Sequence, residues 1–248
     1  MRRASYGLLA AALLPACAFA VDGVVVINQS TVTAAGGFPY MITQPGSYKL
    51  SGNLIVTLAS KDGIDINSDN VTLDLNGFTI AGPDSRVWSF GNGIASANQN
   101  ITVKNGVVTS FPVGVFLTGT ATITDIQAGG NGEGIVAFPN GGQTSGFIIA
   151  RCAANGNAGI GFELHNATIS DSIANANHAS GFFVVRSSLI HNVANNNTRY
   201  GIITGDNNPS PVGGSLIGNN TMLDNGTDLY VATSSRSQGN NLCTAGSC

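Results

Sequence analysis

From residue 63 onward, apolar and polar positions alternate over short runs, and Gly, Asn and Asp separate the runs. The clearest run lies within residues 63–82, GIDINSDNVTLDLNGFTIAG, where Val71, Leu73 and Leu75 alternate with polar residues. Alternation with a period of two predicts a β-strand with one buried face, and the turn residues around it predict tight corners. Weaker copies of this stretch follow it to about residue 230.

Two features recur along these copies at intervals of 20 to 30 residues. A glycine followed by an apolar residue stands at Gly63, Gly93, Gly114, Gly134, Gly159, Gly181 and Gly201. A short strand whose third residue is apolar ends at Leu73, Val103, Ile123, Ile149, Ile169, Ile190 and Ile217. A unit of about 20 residues that combines short strands with turns predicts a β-solenoid, in which each coil completes its core by stacking on its neighbours.

Asparagine recurs at one corner of the predicted coil. Asn131, Asn157 and Asn177 align with one another, and Asn197 lies close to the same column. Asparagine tolerates the left-handed backbone of a sharp corner, and stacked Asn side chains can bond along the solenoid. We therefore interpret these residues as structural rather than as ligand-binding groups.

The pattern divides the all-β chain into four parts. Residues 1–20 are expected to be a signal peptide, and residues 21–62 have strand-like runs without the repeat. An N-terminal capping segment at 21–62 would cover the apolar end of the first coil. Residues 63–232 are predicted to form about seven to eight coils. Residues 233–248 are predicted to form a C-terminal tail.

The amino terminus has the features of an export signal. Arg2 and Arg3 precede an apolar run, and the small residues at 18 and 20 fit a cleavage pattern that would leave Val21 as the first residue. Lipidation at Cys17 and an uncleaved anchor are the alternatives. No later run is long enough to cross a bilayer. A secreted, periplasmic or cell-surface location is expected.

Three cysteines remain after such cleavage. Cys243 and Cys248 are close enough in sequence to close a small disulfide loop in an oxidising compartment. Cys152 falls at an inward repeat position and is expected to be a buried thiol rather than a nucleophile.

Composition and charge narrow the function classes. Only 9% of residues are charged and 33 of 248 are glycine, which disfavours a helical protein. Net charge is −3, and removal of Arg2 and Arg3 leaves 8 basic against 13 acidic residues, or −5. Nothing in this balance points to a nucleic-acid partner. A monomer is expected.

The first candidate for chemistry is a column of alternating charges. Asp125, Arg151 and Asp171 each lie two residues beyond the aligned apolar position on consecutive coils. Coils stack about 4.8 Å apart, which would separate the two aspartates by about 9.6 Å. A lyase needs a cation and a base, and an inverting hydrolase needs two spaced carboxyls. The column fits either role, or a solvated charge ladder.

Two other groups of residues invite a binding role. The spacing Asp65-x-Asn67-x-Asp69 is that of half a calcium loop, but the loop glycine and the twelfth-position glutamate are missing, so a solvated strand and turn is the alternative. No metal site is assigned, and a calcium requirement stays open.

Aromatic and paired charged side chains supply the candidates for substrate binding. An insertion at 83–92 carries an aromatic pair beside a cation, which suits stacking on a sugar ring or packing over the coils. Insertions at 139–146 and 205–214 both follow Gly-apolar strands, so both would emerge from the same corner of the solenoid. The candidate substrate-binding residues are Arg86, Trp88 and Phe90, together with Glu163 and Arg186 as an exposed pair on adjacent coils.

The Gly-apolar and strand motifs from Gly63 to Ile217, together with NVTLDLNGF at 70–78, resemble the right-handed parallel β-helix family, which includes pectate lyases, polygalacturonases and NosD-like periplasmic proteins. The resemblance implies a right-handed parallel β-helix, and by analogy an acidic polysaccharide as substrate. The signature segments of polygalacturonases, of pectate lyases and of alginate epimerases (Asp-Pro-His-Asp) are absent from the sequence.

Two functions follow as expectations. One is binding of a polysaccharide or a surface partner without catalysis. The other is a lyase or glycoside hydrolase that acts on glycans containing uronic acid, with Asp125, Arg151 and Asp171 as its catalytic residues. The missing signatures favour the first.

Overall fold

The structure is a computed structural model that describes residues 23–83, 91–140, 146–205 and 214–248. The expected signal peptide, Cys17, Arg86, Trp88 and Phe90 lie outside the described residues. The described chain forms an all-β solenoid of about nine turns with parallel sheets.

Three sheets run along the solenoid. Sheet A consists of β1 (Val24–Ile27), β3 (Gly46–Leu50), β6 (Val71–Asp74), β9 (Ile101–Thr109), β11 (Ala121–Ala128), β13 (Phe147–Ala150), β15 (Ala167–Ser170), β17 (Ser188–Ile190), β20 (Leu216–Gly218) and β23 (Arg236–Ser237), with β4 (Leu54–Ile55) and β7 (Thr79–Ala81) beside the second half of β9. Sheet B consists of β2 (Tyr40–Ile42), β5 (Ile64–Ile66), β8 (Asn92–Ser96), β10 (Val113–Leu117), β12 (Glu133–Ala137), β14 (Phe162–His165), β16 (Phe182–Val185), β19 (Tyr200–Thr204) and β22 (Thr227–Tyr230). Sheet C consists of β18 (Val193–Asn195), β21 (Thr221–Leu223), β24 (Leu242–Cys243) and β25 (Gly246–Ser247).

The core is a stack of in-register apolar residues from successive coils. Leu73, Val103, Ile123 and Ile149 are neighbours in the parallel ladder of sheet A and are fully buried. Alternation within each strand sends the next side chain outward, so one face of every strand lines the core. The apolar third residue of each strand is therefore the inward position, as the sequence predicted for these coils.

Two positions of the sequence alignment were wrong. Leu189, and not Ile190, pairs with Ile169 and is fully buried. Two consecutive apolar residues compete for one inward position there, and the ladder register selects the first. Gly161 replaces Gly159 in the glycine series, because β12 and β14 align Ile135 with Phe162.

The segment predicted as a cap takes part in the ladders. Strands β1 and β3 open sheet A, β2 opens sheet B, and these strands account for the extra turn or two of the solenoid. A single six-residue helix among the described residues, α1 (Gln29–Ala34), places Val32 in the core. Its first turn is closed by the Asn28 side chain, which accepts from the backbone of Ser30 and Thr31 at 3.1 Å each.

The C-terminal tail also continues the solenoid. Strands β23 and β24 extend sheets A and C in parallel, and β25 folds back antiparallel on β24. A disulfide joins Cys243 and Cys248 within this hairpin. Throughout the described ranges, the structure contains no helix with the length and apolarity needed to span a membrane.

Candidate functional site

The charged column of Asp125, Arg151 and Asp171 lies at an exposed corner of the solenoid, two residues beyond the inward residue of each sheet A strand. All three residues have left-handed backbone, with φ of 57°, 53° and 51°. Arg151 donates from Nε to Asp125 Oδ1 and from Nη2 to Oδ2, both at 2.8 Å. The bidentate hydrogen bond from Arg151 lowers the pKa of Asp125. The guanidinium is thus already occupied by a carboxylate of its own chain.

Asp171 is arranged differently from Asp125. Its Oδ1 lies 3.9 Å from His191 Nδ1, on the following coil. Side chains of the Arg151–Asp125 pair are 58% and 40% exposed, and those of His191 and Asp171 are 61% and 57% exposed. Water therefore screens every member of the column. The geometry brings the predicted residues together as an exposed surface charge ladder.

The acidic residues near the calcium-like spacing have separate partners. Asp69 accepts from the backbone N–H of Gln99 at 2.8 Å and from Asn98 Nδ2 at 3.2 Å. Asp62 accepts from Asn92, while burial, followed by a hydrogen bond and repulsion from Asp62, raises the pKa of Asp65 to about 7. Across the described ranges, no group of three or more His, Cys, Asp or Glu side chains is placed to hold a metal ion.

A row of rings lies on the outward side of sheet B. Phe116 and Phe138 meet edge to face with centroids 5.5 Å apart. Phe138 then approaches His165 at 5.9 Å, and His165 approaches Phe183 at 6.1 Å. These four rings come from four consecutive coils and are each half-buried. We call the surface formed by Phe116, Phe138, His165 and Phe183 the aromatic face.

The register of sheet B explains why the rings line up. Phe116, Val136, Glu163, Phe183 and Ile203 occupy one outward column, each paired with the next across the parallel ladder. Each lies two residues beyond a glycine, at Gly114, Gly134, Gly161, Gly181 and Gly201. In these five coils the glycine thus marks both the inward core residue and the outward-facing residue, of which Val136 is itself covered by its neighbours.

Two glutamates border the aromatic face. Burial is the main cause that raises the pKa of Glu133, and repulsion from Glu163 adds to it. Burial also raises the pKa of Glu163. Desolvation disfavours a carboxylate, and no opposing cation offsets it here. Both carboxyl groups thus hold a proton more readily than an ordinary surface glutamate.

The predicted pair of Glu163 and Arg186 is not formed as an ion pair. Glu163 lies opposite Phe183 in the ladder, and Arg186 follows three residues later at a left-handed corner with φ of 49°. Counting from Gly159 predicts that Glu163 and Arg186 lie at nearly matching positions. Counting from Gly161, as the ladder requires, places Glu163 opposite a residue three positions before Arg186. Glu163 borders the aromatic face, whereas Arg186 lies at the edge of sheet B.

Sequence reasoning missed Glu133, His165 and the three phenylalanines of the aromatic face. A signal was available, because four of these five side chains lie on Gly-apolar strands that the repeat analysis had located. The candidates predicted from the sequence, Asp125, Arg151 and Asp171, follow the inward position of sheet A instead. Outward positions of sheet B vary from coil to coil, so a search for shared residues passes over them.

Comparison with known proteins gives similarity at the level of structure. No protein-family model matches the chain, and no curated protein sequence matches it. A mutant of the periplasmic alginate epimerase AlgG superposes with a TM-score of 0.61 at 15% identity, over 89% of this chain and 55% of that one. The A-module of the Azotobacter vinelandii mannuronan C-5 epimerase AlgE4 gives 0.60 at 15% identity, over 87% and 70%.

This chain has the parallel β-helix fold. It spans about half the length of the AlgG chain that it matches. At 15% identity the similarity concerns the fold, and the function has to be argued from the surface of this chain.

Proposed function

We propose that this parallel β-helix binds a polysaccharide along the aromatic face of sheet B. The observation that carries the proposal is the continuous row from Phe116 through Phe138 and His165 to Phe183, with ring centroids 5.5 to 6.1 Å apart. Aromatic rings present large apolar surfaces that pack on the carbon-bound hydrogens of sugar rings. Polar groups at the border of such a surface supply orientation and specificity.

The repeating structure suits a repeating ligand. Strands of successive coils lie about 4.8 Å apart, so the face offers similar positions at a regular spacing. Three of the four rings stand on parallel strands, and Phe138 directly follows β12, so binding requires little ordering of the protein. A polymer can contact several coils at once, which adds affinity without demanding a deep pocket.

The structural neighbours support the same class of ligand. AlgG and AlgE4 are named as epimerases of alginate and mannuronan, which are polysaccharides. Their names support a glycan as the ligand, and the export signal expected from the sequence would bring the chain to a compartment where such polymers occur. The epimerase segment Asp-Pro-His-Asp is missing here, which favours binding over that chemistry.

Affinity electrophoresis tests the proposal. The purified chain is run in gels that contain alginate, pectate, xylan or soluble chitosan, and at least one polymer is expected to retard it. Phe183→Ala, which removes the half-buried ring at one end of the row, beside Glu163 in the ladder, is expected to abolish most of the retardation. Ile148→Ala removes an apolar side chain that is 56% exposed on the opposite sheet, and serves as the control. Equal retardation of both variants would reject the aromatic face as the site.

A second candidate function is acid–base chemistry on a uronic acid polymer. Glu163 and His165 favour it, because they stand two residues apart on β14 and project to the same side. Proton abstraction beside a carboxylate requires a base and an acid within reach of the sugar. Asp125, Arg151 and Asp171 remain the other proposed catalytic set.

Turnover assays separate these possibilities. Pectate and alginate are incubated with the chain, with added calcium and with EDTA, and unsaturated products and reducing ends are followed. Activity that is lost in Glu163→Gln and kept in Arg151→Ala assigns the chemistry to sheet B, and the reverse assigns it to the corner. Absence of turnover by the unmodified chain on all polymers rejects the second candidate and leaves the binding proposal.

A further inference from the structure

The two long sheets carry charge of different kinds. The nine strands of sheet B contain Asp65, Glu133, Glu163 and Asp228 but no lysine or arginine. Strands of sheet A contain both signs, including Lys49, Lys104 and Arg236. Sheet B therefore presents a one-sided acidic charge beside its rings. A bound polymer has to be compatible with this negative charge.

From this arrangement we infer that the polysaccharide bound at the aromatic face is cationic, a polymer of amino sugars with free amino groups. The inference rests on the proposed function, because it names the chemical class of ligand for the same surface. It separates this chain from a uronate-binding protein, whose site would need cations to hold sugar carboxylates.

The two carboxylates that border the aromatic face lack protein partners. Neither Glu133 nor Glu163 accepts a hydrogen bond or forms an ion pair within the described part of the chain. Both are half-buried against apolar surface, and the pKa of each is raised by that burial. An ammonium group has three donors and a positive charge, so it would satisfy these oxygens and offset their repulsion.

The rings point to the same class of ligand independently of the carboxylates. An ammonium group over the face of an aromatic ring is attracted by the negative potential of the ring. Phe183 is the direct ladder neighbour of Glu163, and Phe116 lies two coils before Glu163 in the same outward column. An amino group placed between Glu163 and Phe183 would thus find a carboxylate and a ring on neighbouring coils. A carboxylate on the sugar would meet repulsion at the same places.

Acidic residues also lie beyond the rings, on the side of Phe116. Asp65 stands in the same outward column as Phe116, two coils earlier, with Ala95 between them. Asp62 is close enough to Asp65 to raise its pKa. A polymer that follows the column beyond Phe116 would therefore reach a further pair of acidic residues, Asp62 and Asp65. That continuity favours an extended polymer over a single cationic sugar.

Calorimetric titration with three defined hexasaccharides tests the inference. Glucosamine hexamer, N-acetylglucosamine hexamer and mannuronate hexamer are compared at about pH 6, where amino groups of ordinary basicity keep their proton. The glucosamine hexamer is expected to bind at least about tenfold more tightly than either of the others. Its affinity is expected to fall as salt is raised, since exposed charge interactions are screened.

Isosteric variants identify the groups responsible. Glu163→Gln and Glu133→Gln keep the side-chain shape, and each is expected to remove most of the preference for the amino hexamer while leaving the N-acetyl hexamer unaffected. Asp224→Asn removes an exposed carboxylate at a left-handed corner outside sheet B and serves as the control. Unchanged melting temperatures of the variants verify that the fold is intact.

The outcomes separate the inference from the proposed function. Tighter binding of the N-acetyl or mannuronate hexamer, with loss in Phe183→Ala, overturns the cationic ligand and keeps the aromatic face as a glycan site. A preference for glucosamine that survives both Glu→Gln changes overturns the assigned residues. Failure of all three hexamers, and of the polymers in the gels, overturns both proposals.

Discussion

Asn157 and Asn177 are joined by two hydrogen bonds to a single oxygen. The backbone N–H and the side-chain Nδ2 of Asn157 both donate to Oδ1 of Asn177 at 3.0 Å. The same geometry repeats from Asn177 to Asn197 and from Asn197 to Asn225. Each amide also donates to a backbone carbonyl of the preceding coil, such as Ala154 for Asn177. The column is therefore a continuous chain of buried, satisfied amides along one corner.

Removal of one amide from this chain should destabilise the fold strongly. In Asn177→Ala, the N–H of Asn157 and the carbonyl of Ala154 lose partners inside the protein, and unpaired buried groups retain their desolvation penalty. We expect a loss of roughly 2 to 4 kcal/mol in the free energy of unfolding. Urea denaturation followed by circular dichroism measures it. Asn155→Ala, an exposed corner change on the preceding coil, is expected to lose less than about 1 kcal/mol, and similar losses for both would contradict the role of burial.

The glycine series is explained by the asparagine chain. A Cβ added at Gly181 would stand 2.8 Å from Asn197 Nδ2 and 2.7 Å from the carbonyl oxygen of Gly201. We expect Gly181→Ala to lose roughly 1 to 3 kcal/mol, because neither neighbour can retreat without breaking a ladder. Gly52 has ordinary backbone and nothing within 4 Å of an added Cβ, so Gly52→Ala is the matched control. Thermal unfolding of the two variants gives the comparison, and equal melting temperatures would count against the close contact.

The sequence could predict the solenoid because stacking imposes the same requirement on every coil. An inward residue such as Ile123 and a corner residue such as Asn157 contact their own equivalents, so they recur. The alignment failed where the residues themselves were ambiguous, as at Leu189 and Ile190. Asn197 was placed beside its column, whereas the structure places it within the chain of amides.

The candidate site could not be predicted in the same way. Side chains on the outer surface contact solvent or a ligand and need not match from coil to coil, so Phe116, Val136 and Glu163 differ although they share one column. The pairing of Glu163 with Phe183 depends on the ladder register. Aligning the coil on Gly159 instead of Gly161 moves the register by two residues and hides this pairing. The charge column at Asp125 was easier to see and has a structural explanation in its ion pair with Arg151.

The Asp62–Asp65 pair should make stability depend on pH. Burial and Asp62 raise the pKa of Asp65 from 3.8 to about 7, so the folded state holds a proton that the unfolded state releases between these values. Stability from this group is therefore present at low pH and is lost as pH rises through about 7. The carboxyl is half-exposed, and screening reduces the expected loss to roughly 1 to 2 kcal/mol.

Asp65→Asn isolates this contribution. The variant cannot ionise at residue 65, so its free energy of unfolding should fall less than that of the unmodified chain between about pH 4 and pH 8. Urea titrations at several pH values provide the measurement. Asp224→Asn, at an exposed position, is expected to keep the original dependence. A parallel pH profile for Asp65→Asn and the unmodified chain would show that Asp65 ionises normally in the folded state.

Cys152 should be chemically silent in the folded protein. The side chain is 1% exposed beneath the corner that carries Arg151, and burial is the main cause that raises its pKa to about 11. Only the thiolate reacts with disulfide reagents, so both access and ionisation oppose modification. A chain that begins at Val21, with the Cys243–Cys248 disulfide intact, is expected to show no reactive thiol by Ellman titration until denaturant is added, and then one. The rate should follow unfolding, so Asn177→Ala should accelerate it while Asn155→Ala should not. Rapid reaction of the native chain would instead make this thiol accessible and reopen its role as a nucleophile.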